Sequence, residues 1–109
     1  MSSADTGATW HDVAAAGELA PGGHAVYEVD GRFVAVYNVG GELYAIEDVC
    51  THDGNPLADG AVEVHEVICP RHGARFCLRT GEALSPPAYE PVATFPVAIR
   101  AGRILLGVT

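Results

Sequence analysis

Apolar and polar residues alternate along this chain in short runs, and each run is closed by glycine, proline or aspartate. The punctuation recurs at Pro21-Gly22-Gly23, Asp30-Gly31, Gly40-Gly41, Asp53-Gly54, Asp59-Gly60, Thr80-Gly81, Pro86-Pro87 and Ala101-Gly102. Between these points lie segments rich in valine, isoleucine, tyrosine and phenylalanine, which suit a pleated, half-buried surface. Residues 25–29 lead into Asp30-Gly31. Residues 33–39 then run to Gly40-Gly41, and 43–46 return from it, which predicts a hairpin. Residues 94–100 and 104–108 predict a second hairpin about Ala101-Gly102. No stretch keeps a helical period over three turns. Residues 12–19 allow one short helical turn, which Gly17 weakens. The pattern predicts an all-β domain of short antiparallel strands, a small sandwich or barrel. Trp10, Tyr27, Phe33, Tyr37 and Phe95 are expected to pack in the core and on the sheets.

The length of 109 residues fits one domain, 1–109, with a modest core. No apolar run approaches the roughly 20 residues that span a bilayer, so no membrane association is expected. Residues 1–9 are small and polar and do not resemble a secretion signal. Three cysteines are an odd count, which argues against a disulfide framework and for a reducing, cytoplasmic setting. The net charge is −8, with six arginines and no lysine. That balance disfavours nucleic acid and anionic lipid as partners. It suits a basic docking surface on another protein.

Two short clusters interrupt the strand pattern: Cys50-Thr51-His52, and Cys69-Pro70-Arg71-His72. Each follows a strand-like run (residues 44–49 and 64–68), and each is followed closely by a glycine, Gly54 or Gly73. Glycine permits the turns that fold backbone around an ion or cluster, and Pro70 stiffens the second loop. Four nitrogen and sulfur ligands from two such loops could hold one zinc ion, or a [2Fe–2S] cluster in which two histidines replace two cysteines on one iron. The common zinc finger pairs cysteine with cysteine and histidine with histidine. Here each loop supplies one of each, which suits a cluster with both thiolates on one iron and both imidazoles on the other.

With these loops the sequence resembles the Rieske ferredoxins, small electron carriers of bacterial aromatic-ring dioxygenase systems. The resemblance rests on Cys50-Thr51-His52 and on residues 69–76. It extends to Trp10, Tyr44-Ala45-Ile46, Thr80-Gly81-Glu82-Ala83 and the proline-rich residues 85–91. It implies three small antiparallel sheets, with a cluster-binding subdomain at about 47–85. It also implies one Rieske [2Fe–2S] cluster per chain, Cys50 and Cys69 on the inner iron and His52 and His72 on the outer one. The expected function is transfer of single electrons from an NAD(P)H-dependent flavin reductase to a terminal ring-hydroxylating oxygenase, by a monomer with no catalytic site of its own. Other readings are a Rieske-type carrier or small subunit for another system, associated with nitrite reductase or iron–sulfur cluster assembly, or a structural zinc module.

Respiratory Rieske proteins clamp the two ligand loops with a further disulfide, at positions that here are Asn55 and Arg71. They also place serine and tyrosine hydroxyls near the cluster, where this chain has Ala74 and Phe76. Fewer donors leave more electron density on the sulfurs, so a low reduction potential is expected. His11, His24 and His65 are expected as surface or strand histidines. Cys77 is expected as a small buried residue at a strand end, and Phe76 and Pro86-Pro87 as cover for the cluster. Tyr89 fits either cover or a docking surface.

Overall fold

In a computed structural model the described residues are 9–51, 54, 56–58, 60–71 and 73–108. Among the described residues ten strands run in chain order: β1 Thr9–Ala15, β2 His24–Val29, β3 Arg32–Val39, β4 Glu42–Glu47, β5 Val62–Glu63, β6 Glu66–Ile68, β7 Arg75–Cys77, β8 Thr94–Phe95, β9 Val97–Arg100 and β10 Arg103–Val108. One turn of 3₁₀ helix, Ala16–Glu18, follows β1. The strands form three antiparallel sheets: a terminal sheet β1-β10-β9, a central sheet β2-β3-β4-β8 and a loop sheet β5-β6-β7. The all-β, three-sheet expectation holds. Among the described residues no helix is long and apolar enough to cross a membrane.

β3 shows why the sheets stack as they do. Successive side chains of a strand point to opposite faces, yet Val34, Ala35, Val36 and Tyr37 are all buried. Val34 and Val36 pack with Ala45, Phe95, Ile104 and Leu106, on the side of the terminal sheet. Ala35 and Tyr37 pack with Ile46, Leu57, Val67 and Phe76, on the side of the loop sheet. The central sheet is thus the middle layer, and a strand buried on both faces reads as a continuous apolar run. Asn38 ends the run. Its Nδ2 donates to the Leu19 carbonyl (2.8 Å), and its Oδ1 accepts the Gly41 N–H (2.9 Å), so the β3–β4 turn is tied to the chain after the 3₁₀ turn.

Both predicted hairpins form, and a third joins β2 to β3. Asp30-Gly31 and Ala101-Gly102 each place two successive residues at positive φ, the turn whose twist matches that of the flanking strands. The one short helical turn allowed in residues 12–19 forms at Ala16–Glu18. Three other expectations need correction, and one strand was not foreseen. Thr9–Ala15 is paired with β10, with a bulge between Asp12 and Ala14. Alanine favours helix locally, but pairing with β10 and the Arg103–Asp12 ion pair (2.8 Å) fix the strand. Residues 94–100 are two strands in two different sheets. Pro96 has no N–H to donate to a ladder, and the chain changes sheet there. Residues 64–68 are not one strand either, because Val64 (φ 56°) and His65 form the β5–β6 turn. Finally, Tyr37 and Phe95 are buried, but Trp10 and Phe33 are 37% and 55% exposed.

Leu106 is fully buried between the terminal and central sheets, whereas Ile99 on β9 is 51% exposed. Leu106→Ala is expected to cost about 2–5 kcal/mol, and Ile99→Ala under about 1 kcal/mol. Urea titration followed by the fluorescence of Trp10 checks both.

Candidate metal centre

The loop sheet and the two segments around it carry the candidate ligands. Cys50 follows β4 after a bend at residues 48–49, and Cys69 directly follows β6. Cys50 is 0% and Cys69 1% exposed. Both belong to one buried cluster with Leu57, Ala58, Val67, Ala74, Phe76, Leu78, Ala88 and Val92. The structure therefore brings the two predicted thiols into one apolar shell. No disulfide joins any of the three cysteines. The predicted ligands His52 and His72, and the clamp position Asn55, lie outside the described residues.

The two loops close in the same way. The Cys50 carbonyl accepts the Gly54 N–H (2.7 Å), and the Cys69 carbonyl accepts the Gly73 N–H (3.0 Å). Gly54 and Gly73 have φ of 78° and 77°, a conformation that costs other residues roughly 1–2 kcal/mol. The Cys69 N–H returns to the Ala74 carbonyl (2.7 Å), so the second loop is a tight reversal leading into β7. The rims of both loops, at Gly54, Pro70, Arg71 and Gly73, are exposed. Two buried thiols under an exposed rim suit a soft thiolate-binding metal centre with an outward edge.

A third segment, residues 85–91, walls the site. The Ser85 hydroxyl accepts the Arg75 N–H (3.1 Å), and the Thr51 hydroxyl donates to the Glu90 carbonyl (2.7 Å). Residues 85–91 are thereby fixed to β7 at one end and to the first ligand loop at the other. Their Pro86–Pro87 bond is cis. Ala88 faces inward, at 3% exposed, while Tyr89 is 81% exposed. Phe76 and Ala88 share the buried cluster of the cysteines, and Tyr89 belongs to the outer surface.

The charges around the site are largely paired. Arg75 Nη1 lies 2.9 Å from Glu63 and 3.4 Å from Glu66, bridging the three strands of the loop sheet. The Glu63 hydrogen bond leads the causes that raise the Arg75 pKa above its ordinary value. Arg79 lies 3.2 Å from the His65 ring nitrogen Nε2. Arg71 is exposed at the rim. Ala74 and Phe76, both 0% exposed, present no side-chain donor to the shell around the cysteines. Cys77 departs from its expected burial. It is only partly buried, and its thiol pKa is lowered, chiefly by the Thr80 hydroxyl.

Three supports were not read from the sequence. The Asp48 side chain accepts two backbone N–H groups across the first loop. Its place shortly before a loop was the available signal, because aspartate captures nearby backbone donors. Gly60 packs against the Ile68 carbonyl, just before Cys69, and Gly81 packs against the Val92 carbonyl; a Cβ at either would overlap that oxygen. Nothing local in the sequence marks these approaches.

A small all-β domain with paired loops presenting buried thiols beneath an exposed rim is the form of an iron–sulfur electron-transfer domain. The chain belongs to the Rieske [2Fe-2S] domain family, whose model matches residues 9–96. It is 41% identical over 87 residues to the 3-phenylpropionate/cinnamic acid dioxygenase ferredoxin subunit of Escherichia coli (strain K12), covering 79% of this chain and 82% of that protein. Among solved structures it is similar to the ferredoxin of carbazole 1,9a-dioxygenase from Nocardioides aromaticivorans IC177. That likeness has a TM-score of 0.85 and 34% identity, over 90% of this chain and 96% of the other. It is also similar to a chain in a complex of reduced oxygenase and oxidized ferredoxin in carbazole 1,9a-dioxygenase. There the TM-score is 0.83 and the identity 35%, over 89% and 91% of the two chains. The cofactor is a Rieske-type [2Fe–2S] cluster, and the protein is a ferredoxin-type electron carrier rather than a catalytic subunit.

Gly60→Ala and Gly81→Ala are each expected to cost about 1–3 kcal/mol through overpacking against fixed backbone, and to lower the fraction of protein isolated with its cluster. The visible absorbance per chain, measured against iron content, checks this.

Proposed function

We propose that Cys50 and Cys69 bind one iron of the cluster and His52 and His72 the other. The observation that carries this reading is the pair of buried thiols at the heads of two loops closed by the same carbonyl-to-glycine hydrogen bond. When bound, the cluster takes up and releases one electron. The chain's own residues set the conditions for that exchange. Leu57, Val67, Phe76 and Ala88 exclude water from the thiol side, while the exposed loop rims at Gly54, Pro70, Arg71 and Gly73 are open to a partner. The unit is residues 1–109, with the cluster-binding part at about 47–85.

In this reading the carrier takes electrons from an NAD(P)H-dependent flavin reductase and delivers them to a terminal ring-hydroxylating oxygenase, as a cytoplasmic monomer. The similarity to a ferredoxin seen with its oxygenase supports the second partner. The surplus of carboxylates, a net −8, suits basic patches on the partners. The potential is low. Ala74 and Phe76 offer the cluster no hydroxyl, and the positive charge of Arg75 is matched by Glu63 and Glu66.

The reduced protein is expected to give a Rieske-type electron paramagnetic resonance signal that Cys50→Ser and His72→Ala abolish. A colourless, zinc-loaded protein, or a signal that survives both changes, contradicts the ligand set. Redox titration is expected to place the midpoint in the lower part of the Rieske span of roughly −150 to +300 mV; a value well above zero overturns the argument from missing donors. NADH-driven turnover of a ring-hydroxylating oxygenase with its flavin reductase is expected to require the holo-protein. Equal turnover without it would reject the proposed partners.

A further inference from the structure

Asp48 stands at the root of the first ligand loop. Its backbone N–H donates to the Phe33 carbonyl (2.8 Å), which anchors it to the central sheet. Its side chain reaches forward, and a single atom, Oδ1, accepts the N–H groups of both Leu57 (2.8 Å) and Ala58 (2.8 Å). Leu57 and Ala58 are 0% and 6% exposed, so without Asp48 these donors would be left unsatisfied at a cost comparable to desolvating them. The connection continues toward the other ligand. The Leu57 carbonyl accepts the Gly60 N–H (2.9 Å), and Gly60 lies against the Ile68 carbonyl. Ile68 in turn donates to the Ala61 carbonyl (2.9 Å) and immediately precedes Cys69. One carboxylate oxygen thus joins the central sheet, the loop that bears Cys50 and the strand that delivers Cys69.

We propose that Asp48 is a positioning residue for the cluster, and that the place of its acceptor oxygen, rather than its charge, keeps the Cys50 loop in register with the Cys69 strand. The proposal rests on the ligand reading given above. A carboxylate that mattered only as a charge would be replaced by glutamate without effect. One that matters as a fixed acceptor would be replaced by asparagine, which offers an oxygen at the same reach.

The test compares holo wild type with Asp48→Asn, Asp48→Glu and Asp48→Ala. Three readouts are taken: the rate of iron release to a strong coloured chelator, the line shape of the reduced protein's paramagnetic resonance spectrum, and the urea transition of Trp10 fluorescence. Trp10 lies in the terminal sheet, outside the buried cluster that holds the cysteines, so it reports on the remainder of the fold. Asp48→Asn is expected to release iron within about 2-fold of wild type, with an unchanged spectrum. Asp48→Glu and Asp48→Ala are expected to release it roughly 10- to 100-fold faster, the range found when groups supporting metal ligands are lost. Their line shape is expected to change, and iron release is expected to rise by more than the accompanying shift of the Trp10 transition accounts for. Should Asp48→Ala fail to take up cluster, the Asn–Glu contrast decides. Glu matching wild type while Asn fails would assign the effect to charge and overturn the proposal. Four proteins alike, or iron release that merely tracks the Trp10 transition, would also overturn it. A wild type without a Rieske signal refutes the ligand reading itself, before any Asp48 variant is compared.

Discussion

Neither face of β3 can be left in water. Val34 and Val36 on one side and Ala35 and Tyr37 on the other are all removed from solvent, and each fully buried valine contributes roughly 1.5–3 kcal/mol. A single sheet cannot satisfy that demand, so the chain must supply a cover for each face. The terminal sheet is one cover. The other is the segment that bears the cysteines, which can present an exposed rim because its underside is claimed by Ala35, Tyr37 and Ile46. The same hydrophobic contact that stabilises the central sheet therefore holds the cluster loops in place.

That arrangement shapes the chemistry. The thiols sit on the inner side, among mostly aliphatic and aromatic neighbours, and Ala74 and Phe76 have no side-chain group to donate to them. The nearby arginines are largely occupied by Glu63, Glu66 and His65. The exposed rim and the projecting Tyr89 leave the opposite side available for contact with another protein.

The hairpins about Gly40-Gly41 and Ala101-Gly102 were legible because the turn residues demand a particular backbone and the flanking residues favour strands. The gathering of Cys50 and Cys69 was legible because few chemistries need cysteine and histidine at that spacing, and the structure buries both thiols in one cluster. β1 was not, because alanine-rich residues carry no strand signal and only β10, at the other end of the chain, makes them one. The break at Pro96 had a signal, since proline inside a strand run argues against an uninterrupted ladder. The positions of Trp10 and Phe33 did not, because aromatic character alone does not say which end of a face is covered. The ties from Thr51 to Glu90, from Asp48 to Leu57 and Ala58, and between Gly60 and Ile68 join residues distant in sequence. They became visible only when the loops were folded.

Histidine on one iron and cysteine on the other is the ligand arrangement proposed for the cluster. Pulsed electron paramagnetic resonance of the reduced protein, resolving nitrogen couplings, tests this most directly. Two strongly coupled nitrogens are the predicted result. A reduced cluster with no strongly coupled nitrogen would mean all-sulfur ligation and would contradict it.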